Sequence, residues 1–320
     1  LFPIFSYALS STCYSIYVFS LWHQIIAMFI TGVIVGTVIV FIRKFLPSLN
    51  TVSPAIASLI SGLSALAFQA IYAKYDMPLV FLNTALGGIV PSLPGLSITT
   101  AIQELTSRQV RSGAIRLISA ATVSIQLALG IYIAKMIQTA SKVPHIPAQT
   151  YDFPKWALAL VIPCNGVGYM VSLKAPQDPL TGLFVIANSY QGYFITQKMS
   201  ALLTPELGAL IAAFCLQTVS KIYGWLSNRP PAVITSCAIL LLVPGSVSVK
   251  SVDALLNNDW DNGSALLIRT GQIALGLAFG LILSNFTFAW IGHRHDQVIK
   301  IHRIKKVKQR IGVVTKSART

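Results

Sequence analysis

The stretch Val90-Pro91-Ser92-Leu93-Pro94-Gly95-Leu96-Ser97 interrupts an apolar segment, and Val243-Pro244-Gly245-Ser246-Val247-Ser248 interrupts another, with its Pro-Gly pair 150 residues after the first. Proline removes a backbone donor and glycine loosens the turn, so each stretch is predicted to break a helix. Backbone groups freed in an apolar medium are tolerated only where they are buried in protein or line a wet cavity. Recurrence of the element favours a functional break, with a structural kink as the alternative.

The two Pro-Gly elements belong to a longer internal repeat. Residues 94–131 match residues 244–281 without a gap, and Ser53-Pro54 parallels Thr204-Pro205 one residue out of that register. Besides Pro-Gly, the matched pairs include Leu105 and Leu255, Gly113 and Gly263, Leu117-Ile118 and Leu267-Ile268, Leu127-Ala128 and Leu277-Ala278, and Gly130 and Gly280. The chain is therefore predicted to contain two related halves.

Composition places the chain in a membrane. Hydrophobic residues make up 54% of the 320 positions and charged residues only 10%, which is too apolar for a water-soluble domain. A span needs roughly 20 apolar residues. Such segments are predicted to start near Ile4, Ile25, Pro54, Pro78, Gly113, Trp156, Pro179, Pro205, Ala232 and Ser264.

The predicted fold is therefore all-α, a polytopic membrane protein of about ten transmembrane helices. The first half covers 1–142, a proline-containing linker 143–155, the second half 156–292, and a basic tail 293–320. Because five spans per half is an odd number, the second half is predicted to enter the membrane upside down. Inverted repeats of this kind are typical of secondary transporters, whose substrate site lies near the midplane between the repeats.

The distribution of charge predicts the orientation. The tail carries nine Lys and Arg residues and one acid, Asp296, out of a net charge of +15, so the C-terminus is expected in the cytoplasm, in contact with anionic lipid and not nucleic acid. Arg43, Lys44, Arg108, Arg111, Arg116, Lys174, Lys221 and Arg229 fall in predicted inner loops, whereas Lys250, Asp253, Asp259 and Asp261 fall in a predicted outer loop. The membrane is expected to be the plasma or vacuolar membrane, and a homo-oligomer is left open. Since the chain begins Leu1-Phe2-Pro3, an upstream segment is expected.

The substrate site is predicted at the two breaks, with polar side chains of the sixth and seventh spans as further lining. The candidate residues are Pro94, Gly95, Ser97, Thr100, Asn165, Asn188, Pro244, Gly245, Ser246 and Ser248. Glu104, read as the only acid set well within an apolar helical pattern, is the candidate proton-coupling carboxylate. The alternative is an i,i+4 ion pair with Arg108 at the cytoplasmic helix end.

Enzymatic and ATP-driven functions find no support, because HExxH, GxSxG and P-loop motifs are absent. The cysteines, Cys13, Cys164, Cys215 and Cys237, have no CxxC spacing, so they are expected as reduced thiols. No cofactor or metal is predicted.

From Val90 through Gly95 to Ala101, Glu104-Leu105, Ser107-Arg108, Ser112-Gly113 and Arg116-Leu117, the chain resembles the threonine/serine exporter family. The likeness includes Val243 to Ser246 and the opening residues 7–36, and the fungal pheromone-regulated membrane proteins are one branch to which the chain fits. The resemblance implies two five-span halves preceded by a hydrophilic segment. It also implies proton-driven export of small hydroxy amino acids, with dicarboxylates suggested for some relatives.

The leading hypothesis is an antiporter that exports threonine, serine or similar metabolites by alternating access. The second hypothesis is a dicarboxylate (succinate-like) exporter, which requires Arg108, Arg116 or Lys250 to face the cavity. The third is a non-transporting membrane scaffold acting through the basic tail, which requires a dry helix interface at both breaks.

Overall fold

The described part of the chain is almost entirely α-helical. The computed structural model describes residues 2–17, 22–141, 155–173, 175–176, 178–202, 204–240, 242 and 245–317. Only the backbone is described at 2–3, 16–17, 155–160, 172, 197, 200–201 and 289–317. Within these ranges no β-strand occurs. The helices are α1 Phe2–Tyr17, α2 Trp22–Phe45, α3 Ser53–Ala73, α4 Phe81–Gly88, α5 Gly95–Thr106, α6 Val110–Ala140, α7 Lys155–Ser172, α8 Pro179–Leu202, α9 Pro205–Ser227, α10 Ala232–Ile239, α11 Gly245–Leu256 and α12 Trp260–Ser317.

The helices agree with a membrane protein. Five of the described segments are long and apolar enough to cross a bilayer, namely Trp22–Phe45, Pro47–Ala73, Val110–Ala140, Pro205–Ser227 and Trp260–Phe288. The bent pair α4 and α5 makes a sixth if it is counted as one span. Large apolar side chains such as Phe29, Ile118 and Phe286 lie exposed on these helices, as expected for surfaces that face lipid. The count of ten spans stays a prediction.

The first helix break is confirmed. The helical axis bends by 63° between Phe81–Gly88 and Val90–Thr106, and a single 3-10 turn at Val90–Ser92 fills the corner. In the second half, α10 ends at Ile239 and helix resumes at Gly245. Val243 and Pro244, which were predicted to cause this second break, lie outside the described residues.

Equivalent helices of the two halves pack in equivalent ways. The contacts of α1 with α2, α2 with α3, and α3 with α6 are matched by those of α7 with α8, α8 with α9, and α9 with α12. Between the halves, α6 packs on α11 and α5 on α12, while α1 meets its counterpart α7 and α5 meets α11. If each helix is replaced by its counterpart in the other half, the same set of contacts results. A pseudo-two-fold relation between the halves requires this.

The sequence repeat is realised as two helical hairpins of the same geometry. The α5–α6 turn holds Arg108 at φ 64° and the α11–α12 turn holds Asn258 at φ 61°. Each hairpin then needs glycine one turn into its second helix. A Cβ on Gly113 would lie 2.8 Å from the Ala101 carbonyl oxygen, and one on Gly263 would press on Leu255.

Glycines also lie at close helix contacts, among them Gly32, Gly36, Gly276 and Gly280. A Cβ on Gly32 would lie 2.7 Å from that of Ser11, so α1 and α2 approach at their backbones. Gly130 brings α6 against Ser58 of α3, and its repeat partner Gly280 brings α12 against the Leu210 carbonyl of α9. Small residues give this close approach where lipid supplies no hydrophobic drive for helix association.

Two predictions made from charged residues are corrected by the helix bounds. Arg108 is not one turn from Glu104 on a shared helix, because α5 ends at Thr106 and Arg108 sits in the following turn; Glu104 pairs with Arg116 instead. Lys250 and Asp253 do not lie in an outer loop, because α11 continues through both to Leu256.

Replacing Gly130 or Gly280 by alanine is expected to lower stability by about 1–3 kcal/mol, since overpacking a tight contact costs this much. The added methyl on Gly130 would collide with Ser58 Oγ and lie 2.6 Å from the Ala55 carbonyl oxygen. Thermal unfolding in detergent measures the effect. Gly271→Ala, on α12 with no atom within 4 Å of its Cβ, is the control, and an equal loss there would contradict the packing argument.

Candidate functional site

A cavity of about 340 Å³ opens beside the first helix break. Its wall includes residues of the break itself and side chains from both halves of the chain. The lining residues are Tyr7, Ile39, Arg43, Ser53, Pro54, Pro91, Ser92, Leu93, Pro94, Leu96, Ser97, Val123, Tyr169, Leu173 and Leu240. The volume falls within the range of small-molecule sites.

The N-terminus of α5 forms part of this wall. Pro94 occupies the cap position but supplies no side-chain acceptor, and the first backbone bond of the helix runs from Ile98 N to Pro94 O. The amides of Gly95, Leu96 and Ser97 therefore lack an acceptor within the helix. An exposed N-terminal turn carries partial positive charge and favours an anionic group nearby, by roughly 0.3–1 kcal/mol at an exposed site.

Charge and hydroxyl groups of the cavity come from neighbouring helices. Arg43, in the last turn of α2, is the only charged side chain that lines the described cavity. No carboxylate among the described residues lies within ion-pair distance of it. The Tyr7 hydroxyl is 2.7 Å from the Ser92 hydroxyl in the break. The wall thus offers a free guanidinium and several hydroxyls, a set that suits a carboxylate on a small polar molecule.

The two breaks meet at this place. Gly245, the first residue of α11, lies so close to the first break that a Cβ on it would be 3.1 Å from Leu93 Cβ and 3.2 Å from Gly95 N. One turn on, Ser248 bonds the Gly245 carbonyl at 2.7 Å and contacts the Ser124 hydroxyl of α6 at 3.4 Å. Among the predicted site residues the fold therefore brings together Pro94, Gly95, Ser97, Gly245 and Ser248.

Thr100, Asn165 and Asn188 are not among the residues of this cluster. Thr100 lines a smaller cavity of about 240 Å³ with Gln103, Glu104, Ser107, Gln109 and Arg116. Asn188 faces α9, where its amide donates to Leu216 O at 3.1 Å and to Ser220 Oγ at 2.9 Å, so its observed role is helix packing. Asn165 is buried on α7, one turn from the cavity residue Tyr169. Ser246 is half-buried, and Pro244 lies outside the described residues.

Glu104 forms an ion pair at the end of the α5–α6 hairpin. Arg116 Nε lies 3.0 Å from Glu104 Oε1, with the two side chains 56% and 21% exposed. The second carboxylate oxygen is buried without a hydrogen-bond partner. Arg108 is exposed and lines an open groove outside the hairpin. Glu104 thus forms an ion pair, as the alternative hypothesis expected, but with Arg116 in place of Arg108.

Sequence reasoning missed a second buried carboxylate, Asp253 of α11. Its side chain is 6% exposed, and Oδ2 lies 3.9 Å from Lys135 Nζ of α6. A run of charged residues from Lys250 to Asp261 made this segment look like a loop. The matched segment of the first half gave the available signal, because Glu104 was predicted to lie on a helix and residues 94–131 match residues 244–281.

Comparison with known families agrees with this architecture. Residues 1–138 match the family model described as "Putative threonine/serine exporter", and residues 157–287 match the one described as "Threonine/Serine exporter, ThrE". The chain belongs to the threonine/serine exporter family. The resemblance seen at the Pro-Gly and Glu-Leu motifs is confirmed, and the matched ranges together cover most of both halves. Proteins of this family are membrane transporters.

Curated relatives of this exporter-family chain are fungal. Two uncharacterized proteins of Schizosaccharomyces pombe are each 23% identical, over 86% and 87% of this chain. Pheromone-regulated membrane protein 10 of Kluyveromyces lactis is 23% identical over 82% of the chain. The match spans only 39%, 36% and 29% of these relatives' own lengths. No solved structure matches the chain.

A cysteine placed at Ser97 is expected to react with a charged, water-soluble thiol reagent, because Ser97 is exposed in the cavity wall. Thr122→Cys, on the exposed apolar face of α6 with Ile118 and Ile125, is expected to be shielded by detergent or lipid, and Ser248→Cys by burial. Mass spectrometry of labelled protein measures this in a background with Cys164 and Cys215 replaced by serine. Equal labelling of all three positions would refute a water-filled cavity at the break.

Proposed function

We propose that this chain is a secondary transporter that exports small polar amino acids such as threonine and serine, coupled to protons, by alternating access. The cavity between the halves carries the proposal, because it joins an uncapped helix N-terminus, one unpaired arginine and several hydroxyls beside a helix break. The N-terminal amides of α5 and the Arg43 guanidinium would hold the substrate carboxylate. The hydroxyls of Tyr7, Ser92 and Ser97 would select for a polar substrate side chain.

The exchangeable packing of the two halves supports ten spans arranged as an inverted repeat. In that arrangement each half contributes four unbroken helices and one broken helix, α4 with α5 or α10 with α11. The Arg43 end of α2 would face the cytoplasm, so the described cavity would be open to the inside. Rocking of one half against the other about the contact between Gly95 and Gly245 would then close this side and open the opposite one.

A dicarboxylate exporter remains the second candidate. Arg43 supports this candidate, because it could bind one carboxylate of the substrate. The three basic residues that the dicarboxylate hypothesis named do not line the cavity. Arg108 is in an exposed turn, Arg116 is paired with Glu104, and Lys250 does not line the cavity. A substrate with two carboxylates would leave its second charge without a cationic partner among the described lining residues. The scaffold reading fits less well, because a cavity lies at the first break.

The membrane and the orientation belong to the same proposal. The basic stretch after residue 293, the far part of α12, is proposed to lie in the cytoplasm against anionic lipid of the plasma or vacuolar membrane. Glu104 is one candidate for the residue that binds the coupling proton, since a carboxylate in a membrane segment is a functional candidate.

Arg43→Gln is expected to raise the KM for serine or threonine by about tenfold to a hundredfold, because a hydrogen bond to a charged group contributes about 1.5–3 kcal/mol. The assay is counterflow of labelled serine, threonine and succinate in proteoliposomes. Lys44→Gln is the matched control, since Lys44 is the adjacent basic residue and does not line the cavity. An equal change in both variants would argue against a carboxylate site at Arg43, and no flux of any cargo by folded wild-type protein would reject the transporter proposal.

Gly245→Leu is expected to abolish exchange while the protein remains folded. Its side chain would enter the space between the two breaks, where Leu93 and Gly95 already lie within 3.3 Å of the Cβ position. Gly271→Leu, at an open position of α12, is the control and should transport normally. Unchanged exchange in Gly245→Leu would show that the contact between the breaks does not take part in transport.

A further inference from the structure

The described part of the chain holds one ion pair that links the two halves inside the fold. Asp253 lies on α11 of the second half and Lys135 on α6 of the first, with Oδ2 and Nζ 3.9 Å apart. The other described pairs, Glu104 with Arg116 and Asp178 with Arg229, each stay within one half. A charge change at Asp253 therefore acts directly on the contact between the halves.

Asp253 is in unusual surroundings for a carboxylate. Val249 and Leu256, one turn before and after it on α11, pack into the same apolar cluster as Ile131 and Ala134 of α6. Its side chain is 6% exposed, and Oδ1 is buried without a hydrogen-bond partner. In these buried surroundings the anionic form of the carboxylate depends on an ionic partner for its stabilisation, whereas the neutral acid form needs none.

The charged groups near Asp253 are few. Lys135 faces it from α6, Lys250 lies one turn earlier on α11, and Asn257 bonds the Asp253 carbonyl oxygen at 2.5 Å. On the other packed elements, Glu104 of α5 is paired with Arg116 at the hairpin end, and the α12 residues Asp261 and Arg269 are exposed. Arg111 and Arg116 lie at the opposite end of α6 from Lys135. Lys135 is therefore the cation that stabilises the Asp253 anion across the halves.

Comparison of the two halves indicates that folding does not require this pair. The repeat partner of Asp253 is Gln103, and the repeat partner of Lys135 is Asn285. Both are neutral, and Asn285 accepts a hydrogen bond from Gln217 at 3.3 Å. Of the two equivalent contacts between the halves, that of α5 with α12 thus forms with neutral amides at these positions, whereas that of α6 with α11 places a lysine and a buried carboxylate there. An ionisable group retained at such a position in a membrane protein points to function.

We infer that Asp253 is the site that binds the coupling proton, and that this proton breaks the ion pair with Lys135 that links the two halves. The inference rests on the proposed function and replaces Glu104 as the carrier of the proton. A proton from the aqueous phase adds to the Asp253 carboxylate and gives a neutral acid. Lys135 keeps its charge, and its long side chain, five residues before the end of α6, turns toward water.

The direction of the effect follows from the location of the pair. The ion pair is present when Asp253 is ionised and is lost when Asp253 takes up a proton. In the proposed orientation the ion pair lies at the end of the α6–α11 contact that is remote from Arg43. It holds the halves together at that end, so the cavity is open only on the Arg43 side. Protonation of Asp253 from the side remote from Arg43 breaks the ion pair and allows that end to open. Loss of the proton restores it, and the proton leaves to the other aqueous phase after the halves have rocked.

The test compares gradient-driven accumulation with gradient-free exchange of serine or threonine by the full chain in proteoliposomes. With one proton per substrate, the wild-type protein should accumulate substrate about tenfold for each unit of imposed pH difference. Asp253→Asn, which mimics the protonated acid, should still exchange substrate but accumulate none. Asp259→Asn, which removes an exposed carboxylate from the adjacent turn, should behave as wild type. Should Asp253→Asn not fold, Asp253→Glu, which keeps the carboxylate, must keep the coupling.

Other outcomes would overturn the inference. Gradient-driven accumulation by Asp253→Asn at the wild-type level would do so, as would loss of coupling in Asp253→Glu with exchange intact. Glu104→Gln is measured in parallel, and loss of coupling there with retention in Asp253→Asn would assign the proton to Glu104. Absence of exchange by the wild-type protein is a different failure, because it rejects the proposed transporter function itself and the inference with it.

Discussion

Backbone groups freed by a broken helix need partners, and in a bilayer no water supplies them. This constraint governs the centre of the molecule. The chain bends by 63° at the first break, and the freed turn is placed against the start of α11, with Gly245 beside Leu93 and Gly95. Glycine at 95 and 245 lets the two backbones approach, so one helix start is covered by the other and the remaining face borders the cavity.

The surrounding helices are arranged by the same need for close approach. Gly130 and Gly280 bring α6 onto α3 and α12 onto α9, and the two hairpin turns hold Arg108 and Asn258 in the same left-handed conformation. These contacts use backbone and small side chains, and they lie within the halves, α6 on α3 in the first and α12 on α9 in the second. Close packing of this kind makes each half a rigid unit, which is compatible with rocking of one half against the other.

Much of this architecture was predictable because the repeat carries residues that only backbone geometry explains. Pro94-Gly95, Gly113 and Gly130 recur 150 residues later, and each marks a break, a tight hairpin or a helix crossing. The predictions from charged residues failed for a different reason. Whether Glu104 meets Arg108 or Arg116 depends on where α5 ends, and that end is set by a left-handed turn that no local pattern announces. Asp253 was placed in a loop because local charge density outweighed its correspondence to a helical segment. For Arg43, the sequence indicated only a basic residue at the end of a helix and not a place in the cavity wall.

The two halves are alike in backbone and unlike in chemistry, and the difference bears on how a pseudo-symmetric carrier obtains direction. If the halves were chemically identical, the inward-open and outward-open arrangements would have equal energy and a gradient would have no group on which to act. Here the cation of the cavity, Arg43, lies near one end of α2. The ion pair of Asp253 and Lys135 lies in the α6–α11 contact, at positions where the equivalent α5–α12 contact has Gln103 and Asn285. In the proposed mechanism the backbone symmetry makes the two arrangements possible, and the unmatched charges make their populations depend on substrate and proton.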